Sequence, residues 1–82
     1  MRVVTRERLL HLIARLGDRD LDIWIAERWI EPLHDDRGDD RFDPVDVARA
    51  QLIRDLHVDL ELSEEAIAII LDLHDQLSGA RR

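Results

Sequence analysis

The stretch that decides the fold runs from Asp22 to Phe42 and reads DIWIAERWIEPLHDDRGDDRF. Its first half has apolar residues at helical spacing, which predicts a helix, the second of the chain, over residues 19–29. Asp18 is the expected N-cap, and acids in the first turn suit the positive end of the helix dipole. Pro32 ends any helix before it. The buried stripe of this helix is expected to consist of Leu21, Trp24, Ile25 and Trp29.

The second half of the stretch predicts a small hairpin. Residues 30–33 and Arg41-Phe42 are expected to form two short strands, joined by a turn centred on Gly38. Strands this short have little stability of their own and depend on the helices packed against them. Trp24 and Trp29 are expected to anchor the helix and the hairpin in the core. The alternative is that one tryptophan exposes a rim to a partner.

The segment before this stretch predicts helix 1. It is expected from Thr5 to Leu16, with Thr5 as N-cap. Gly17 is expected in the left-handed position just past its end. The connection to the next helix is short, which indicates a helix-turn-helix arrangement. The apolar stripe consists of Leu9, Leu12, Ile13 and Leu16.

The segment after the hairpin opens with DPVD at residues 43–46, a strong signal for a helix start. Asp43 is the expected N-cap and Pro44 the first helical residue. Helix 3 is expected to run to about His57. Leu60 and Leu62 in the next connection should pack under the core. The buried stripe of helix 3 is expected to consist of Val45, Ala48, Leu52 and Leu56.

Helix 4 is expected from a Ser63 cap to about Leu77, and it is apolar over an unusually wide arc. Such a helix is either central in its own domain or packed against a second subunit. A small chain has little other mass to surround it, which favours a homodimer through helix 4. A second apolar stripe is formed by Ala66, Ile69 and Leu73. The expected dimer interface consists of Ile67, Ile70, Leu71, His74 and Leu77.

The chain of 82 residues is expected to be one all-α domain over residues 1–82, with about four helices, a small hairpin and a frayed tail at 79–82. It has no cysteine, so it has no disulfide and no thiolate metal site. No apolar run is long enough to span a bilayer. The N-terminus lacks the pattern of a signal peptide, which predicts a cytoplasmic protein.

Charge is the second strong signal. The net charge is −7, the pI is about 4.9, and the chain has 12 arginines and no lysine. Nucleic-acid binding normally requires a basic surface to neutralise phosphates, so this balance favours a basic protein partner. Some of the acids serve as helix caps or solvated residues, but their concentration in one helix and one turn should attract a basic surface. The expected partner-binding residues are Asp18, Asp20, Asp22, Glu27, Asp35, Asp36, Asp39 and Asp40.

No pattern predicts an enzyme, a metal site or a cofactor. The DDRGDD turn lacks the alternating ligands and the distal glutamate of a calcium loop. The chain has no glycine-rich phosphate loop and no arrangement for a serine or cysteine nucleophile. The four histidines lie on different predicted elements without the spacing of metal ligands, and they are His11, His34, His57 and His74.

Several short motifs follow one another in a fairly specific order. They are Trp24-Ile25, Trp29-Ile30, Pro32, Phe42, Asp46-Val47-Ala48-Arg49, Leu52-Ile53-Arg54-Asp55-Leu56, Glu64-Glu65, Ile67, Leu71-Asp72-Leu73 and Asp75-Gln76-Leu77. This order resembles the MerR-type winged helix-turn-helix and, within that superfamily, the chaperone-modulator proteins called CbpM. The resemblance covers roughly residues 21–82, and residues 1–20 fit only by pattern.

The resemblance implies a MerR-like winged helix-turn-helix, in which the hairpin is the wing, and a non-enzymatic function. Such proteins bind the J-domain of a DnaJ-like co-chaperone of the CbpA type and inhibit its action on Hsp70. The basic helix of a J-domain suits an acidic competitor.

Two alternatives stay open. The first is a MerR-type DNA-binding transcriptional regulator. Such regulators usually hold phosphates with basic and hydroxyl residues where this chain has aspartates, although Arg2, Arg6, Arg8 and Arg15 could form a local basic patch on helix 1. The second is an oligomerisation module whose only interface is helix 4.

Overall fold

Four α-helices and a three-stranded antiparallel sheet make up residues 2–78, the part of the chain that the computed structural model describes. The tail expected at 79–82, with Gly79 at the end of helix 4, lies outside the described residues. None of the helices in the described range is long and apolar enough to cross a membrane. The elements are β1 (Val4–Thr5), α1 (Arg6–Leu12), α2 (Asp18–Ala26), β2 (Leu33–His34), β3 (Asp40–Phe42), α3 (Pro44–Arg54), a π-helical turn (Asp55–Asp59) and α4 (Glu64–Ser78).

The core draws apolar side chains from all four helices, from β3 and from the connections. Trp24 and Trp29 are only 4% and 7% exposed, so both have the core role expected of them and neither presents an exposed rim. Phe42, at the end of β3, is completely buried and places the sheet against the helices. The buried apolar residues are Leu9, Ile13, Leu16, Leu21, Trp24, Trp29, Ile30, Phe42, Ala50, Ile53, Leu56, Ile67 and Leu71.

The sheet contains the expected hairpin and one strand more. Its order is β1-β3-β2, so β3 is central, and Val4 pairs with Phe42 while Leu33 pairs with Arg41. The first hairpin strand was predicted at 30–33, but it comprises Leu33–His34. Ile30 is completely buried in the core and lies before the strand. β1 was not predicted. Two residues directly before a helix show no alternation, so only their pairing with β3 reveals them as a strand.

The hairpin turn is held by the carboxylate of Asp35. Its Oδ1 accepts hydrogen bonds from the amides of Arg37 (2.8 Å) and Asp39 (3.0 Å). The Gly38 amide donates to the Asp35 carbonyl, and Gly38 has a φ of 80°, a left-handed conformation that favours glycine. The prediction of a turn centred on Gly38 is therefore confirmed.

The connection between α1 and α2 differs from the prediction. Thr5 caps α1 as expected, since its hydroxyl accepts from the Arg8 amide at 3.1 Å, but the helix ends at Leu12. Arg15, with a φ of 63°, takes the left-handed position predicted for Gly17. Gly17 is instead the N-cap of α2, the role predicted for Asp18. Ile13 and Leu16 are still buried, but from an irregular segment, which leaves Leu12 47% exposed.

The start of α3 is confirmed, but its buried face is not. Asp43 and Asp46 form a reciprocal capping box around Pro44, with amide–carboxylate distances of 2.9 and 3.2 Å. In the predicted stripe only Leu56 is buried; Leu52 is half-buried, while Ala48 is exposed and Val45 is 57% exposed. The helix buries the neighbouring face instead. Two residues of that face are charged, so the spacing of apolar residues does not identify it. That face consists of Asp46, Arg49, Ala50 and Ile53.

Helix α4 begins as predicted, because the Ser63 hydroxyl accepts from the Ala66 amide at 3.2 Å. In the connection before it, Leu62 is half-buried as expected, whereas Leu60 is 62% exposed. Glu61 adopts a φ of 53° in this connection. The backbone therefore turns sharply just ahead of α4 and leaves Leu60 on the outside.

Candidate functional site

One arginine joins the N-terminus of α2 to the hairpin. Arg6, the first residue of α1, donates from Nε to Asp18 Oδ1 (2.6 Å) and from Nη2 to Asp22 Oδ1 (2.5 Å). The same Nη2 reaches the Asp18 carbonyl at 3.0 Å, and Nη1 lies 3.6 Å from Asp40 Oδ2 on β3. The forked guanidinium suits such a multiple contact, which a single ammonium does not. Two acidic segments that are separate in the sequence thus share one cation.

The charge on Arg6 is reinforced by these contacts. Partial burial opposes the charged guanidinium, but the hydrogen bonds to Asp18 and then Asp22 outweigh it, so the pKa of Arg6 lies above its ordinary value. On the carboxylate side, Asp18 and Asp22 remain 69% and 68% exposed. Their outer oxygens are therefore still open to water and to a second cation.

Asp40 is the point where the hairpin meets two basic groups. Besides Arg6, its carboxylate approaches His34 on β2, with Nε2 3.2 Å from Oδ1. The imidazole is a charged partner only when protonated. Asp40 is 25% exposed, so it is more enclosed than Asp18 and Asp22.

The remaining acids of the predicted set divide into two groups. Asp20 accepts from the Gly17 amide at 3.3 Å and serves as a cap, and Asp35 holds the hairpin turn. In contrast, Glu27, Asp36 and Asp39 are exposed, and none of these three side chains makes an ion pair within residues 2–78.

Asp35 has an internal partner as well. Its Oδ2 lies 2.6 Å from Nη2 of Arg41 on β3. The hydrogen bond from the Asp39 amide lowers the pKa of Asp35 most; partial desolvation opposes it, and the Arg37 amide and the Arg41 charge add to the lowering. Asp35 is therefore a structural residue of the hairpin. The exposed carboxylates next to Asp35 in the hairpin are those of Asp36 and Asp39.

We call the carboxylates of these two segments that are exposed or contact Arg6 the acidic surface. Of the eight predicted partner-binding residues, this surface excludes the cap Asp20 and the turn residue Asp35. It also excludes Glu27, which lies past the end of α2, away from the contacts of Arg6. Its members are Asp18, Asp22, Asp36, Asp39 and Asp40.

A shallow cleft of about 450 Å³ lies between the start of α1 and the hairpin. Acidic and basic side chains both line it, so it lacks the apolar lining typical of small-molecule sites. No group of three or more His, Cys, Asp or Glu residues in the described part of the chain is arranged to hold a metal ion. The cleft is lined by Thr5, Arg6, Glu7, Gly38, Asp39, Asp40 and Arg41.

The predicted dimer residues of α4 do not share one surface. Ile67 and Leu71 are 1% and 2% exposed and lie inside the domain's own core, and Ile70 is half-buried. His74 and Leu77 are exposed. The outward apolar row instead combines Ile69 and Leu73 of the second predicted stripe with Leu77, and the exposed fractions of these three are 62%, 52% and 89%. Ala66, the other member of the second stripe, is half-buried.

Two further arginines hold the helices together. Arg49, 7% exposed, makes a bidentate contact from α3 to Asp75 on α4 (2.6 and 3.0 Å) and donates from Nε to the Trp29 carbonyl. Arg54 donates from Nε to the Ala14 carbonyl at 2.9 Å and pairs with Asp59 at 3.1 Å. Both arginines are thus structural cations of the described domain.

These arginine contacts were not predicted from the sequence. Arg6 lies 12 and 16 positions from its two aspartates, and Arg49 lies 26 positions from Asp75. No spacing rule for a helix or a strand covers such separations. The sequence does show that arginine replaces lysine throughout the chain. This is a property of the composition, and it does not indicate which arginine pairs with which carboxylate.

Comparison of the chain with protein-family models, with curated proteins and with solved structures found no match. The fold itself is a small, mainly helical domain with a three-stranded antiparallel sheet.

Proposed function

We propose that this domain is a MerR-like winged helix-turn-helix of the CbpM type, with the β2–β3 hairpin as its wing. In this proposal it is a non-enzymatic, cytoplasmic chaperone modulator. It binds the J-domain of a DnaJ/CbpA-like co-chaperone and inhibits the action of that co-chaperone on Hsp70.

The observation that carries the proposal is the joining of α2 and the hairpin through Arg6. It brings Asp18, Asp22 and Asp40 into contact with a single side chain. Negative potential is therefore concentrated on one part of the domain, which favours encounter with a basic helix and raises the association rate.

The test is calorimetric titration of the J-domain into the chain at low and at high salt. We expect micromolar or tighter binding at low salt and clear weakening at high salt, because exposed charges are screened over about 8–10 Å at physiological ionic strength. In parallel, the chain should lower the ATPase rate of Hsp70 stimulated by the J-domain protein. Absence of binding heat at both salt concentrations would contradict the proposal.

The matched variant is Asp36→Arg with Asp39→Arg. Neither side chain makes an ion pair within residues 2–78, so their reversal should leave the domain folded. We expect J-domain affinity to fall about tenfold, given the usual strength of exposed charge pairs. The control is Glu65→Arg with Asp72→Arg, the same charge change on the exposed part of α4. Equal weakening by both pairs would show an effect of net charge rather than of the acidic surface.

The alternative of a DNA-binding regulator has less support in the described residues. Arg6, one of the four arginines of the possible basic patch on helix 1, is occupied by Asp18 and Asp22. Phosphate contacts on α2 would have to form beside these carboxylates. A mobility shift with random duplex at low salt tests this alternative, because even weak non-specific binders respond there.

A further inference from the structure

The Arg6 side chain is a cation already placed on the acidic surface. Its three guanidinium nitrogens face Asp18, Asp22 and Asp40 at 2.5–3.6 Å, which is the contact that a basic partner would make with the same carboxylates. Within the folded domain, the group that the three side chains hold is therefore a guanidinium. Part of their charge is thus used inside the molecule.

The internal cation and an external one would compete for carboxylates that are open to solvent on one side. Arg6 is 28% exposed, whereas Asp18 and Asp22 are more than two-thirds exposed, so each contact is open to water on its carboxylate side. Ion pairs in such surroundings are weak and are screened by salt. A partner arginine can therefore approach the same carboxylates from the solvent side.

We propose that Arg6 is an autoinhibitory competitor, which occupies the carboxylates of Asp18, Asp22 and Asp40 and thereby lowers the affinity of the acidic surface for arginine-rich partners. Release of Arg6 exposes these three carboxylates together and strengthens binding. This inference rests on the proposed function only in assigning the acidic surface to a basic partner. If Arg6 instead held the carboxylates in place for a partner, removing the Arg6 side chain would weaken binding of that partner.

The experiment compares Arg6→Gln with Arg8→Gln. Both remove one positive charge from α1, but the exposed Arg8 side chain makes no ion pair within residues 2–78. The probe is an arginine-rich helical peptide, titrated calorimetrically at low salt. We expect R6Q to bind it about three- to fivefold more tightly than R8Q, the effect of freeing a few exposed carboxylates. Equal binding by the two variants, or weaker binding by R6Q, overturns the inference.

A second pair of variants covers the case in which R6Q does not fold, as judged by its circular dichroism. Arg6→Lys keeps the charge but replaces the planar fork, whose separate nitrogens reach the three carboxylates, with a single compact ammonium that does not reproduce this geometry. R6K should then bind the peptide more tightly than R8K, and equal or weaker binding overturns the inference in the same way.

The J-domain is titrated alongside the peptide. If the wild-type chain fails to bind the J-domain but R6Q binds the peptide more tightly than R8Q, the proposed function fails and the competition by Arg6 stands. If the J-domain binds and the R6Q and R8Q variants do not differ, the proposed function stands and the competition fails.

Discussion

Arg28, two residues past the end of α2, adopts a conformation that favours glycine. Its φ is 62°. Two hydrogen bonds close the end of the helix here: the Arg28 amide donates to the Ile25 carbonyl (3.0 Å), and the Trp29 amide donates to the Trp24 carbonyl (2.9 Å). This is a Schellman motif with a side chain at the left-handed position. We expect Arg28→Gly to stabilise the domain by about 1 kcal/mol and to raise Tm by roughly 4–8 °C.

Thermal unfolding followed by circular dichroism measures this gain. Arg28→Ala is the control, because alanine removes the same charge and the same side chain but keeps the strained backbone. If R28A raises Tm as much as R28G, the gain comes from loss of the arginine and not from relief of the left-handed conformation.

Asp35 makes hairpin stability depend on pH. Its pKa is lowered in the folded domain, first by the Asp39 amide, so its ionised form contributes stability above the ordinary pKa of about 4 and loses that contribution as the pH falls through the lowered value. We expect Asp35→Ala to lower Tm clearly at pH 7 and much less at pH 3. The measurement is a Tm series for both proteins between these pH values.

Asp36→Ala is the control for this series, because Asp36 lies next in the hairpin and makes no ion pair in the described part of the chain. Its Tm should follow that of wild type across the range. A constant difference between wild type and D35A at every pH would contradict a role for the ionised carboxylate.

At the scale of elements, the contact between Arg49 and Asp75 ties α3 to α4. Asp75→Ala leaves a guanidinium that is only 7% exposed without its bidentate partner. Such a change is expected to destabilise the domain by about 2–4 kcal/mol, because the buried charge keeps its desolvation cost. Asp72→Ala, on the exposed part of the same helix, should change stability by less than about 0.5 kcal/mol.

Chemical denaturation of wild type, D75A, Arg49→Met and the double variant completes a mutant cycle. A coupling energy of about 1–3 kcal/mol is expected for side chains in direct contact. Additive effects of the two substitutions would mean that each residue stabilises the domain separately.

The elements also show where sequence patterns succeed and where they fail. The starts of α3 and α4 and the hairpin turn were predicted correctly, because Asp43, Ser63 and Gly38 act through bonds to residues a few positions away. The end of α1 and the buried face of α3 were not. Both depend on what packs against the helix, and Asp46 and Arg49 show that charged residues can occupy the buried face when they are hydrogen-bonded.

At the scale of the whole molecule, the outer face of α4 predicts self-association. Exposed apolar side chains in a continuous row are a sign of an interface. If the chain is a homodimer through this face, Ile69→Glu with Leu73→Glu should convert it to a monomer. Sedimentation velocity at several concentrations gives the result.

The control for this prediction is Val45→Glu with Leu60→Glu. These residues are 57% and 62% exposed, close to the values of Ile69 and Leu73, but they lie outside α4. They should leave the dimer intact. A wild-type chain that is monomeric at every concentration would show that the row on α4 makes no dimer.

By itself, the sequence determined the local events of this protein: the N-caps of α1, α3 and α4, the hairpin turn, the number of helices in the described range and the acidic character of α2 and the hairpin. These follow from bonds between neighbours and from composition, which need no knowledge of the fold. Only the tertiary structure decided which acids are free and which are paired. It brought Arg6 to Asp18, Asp22 and Asp40 and buried Arg49 beside Asp75. These contacts join residues far apart in the chain, and the packing of the core sets the distances between them.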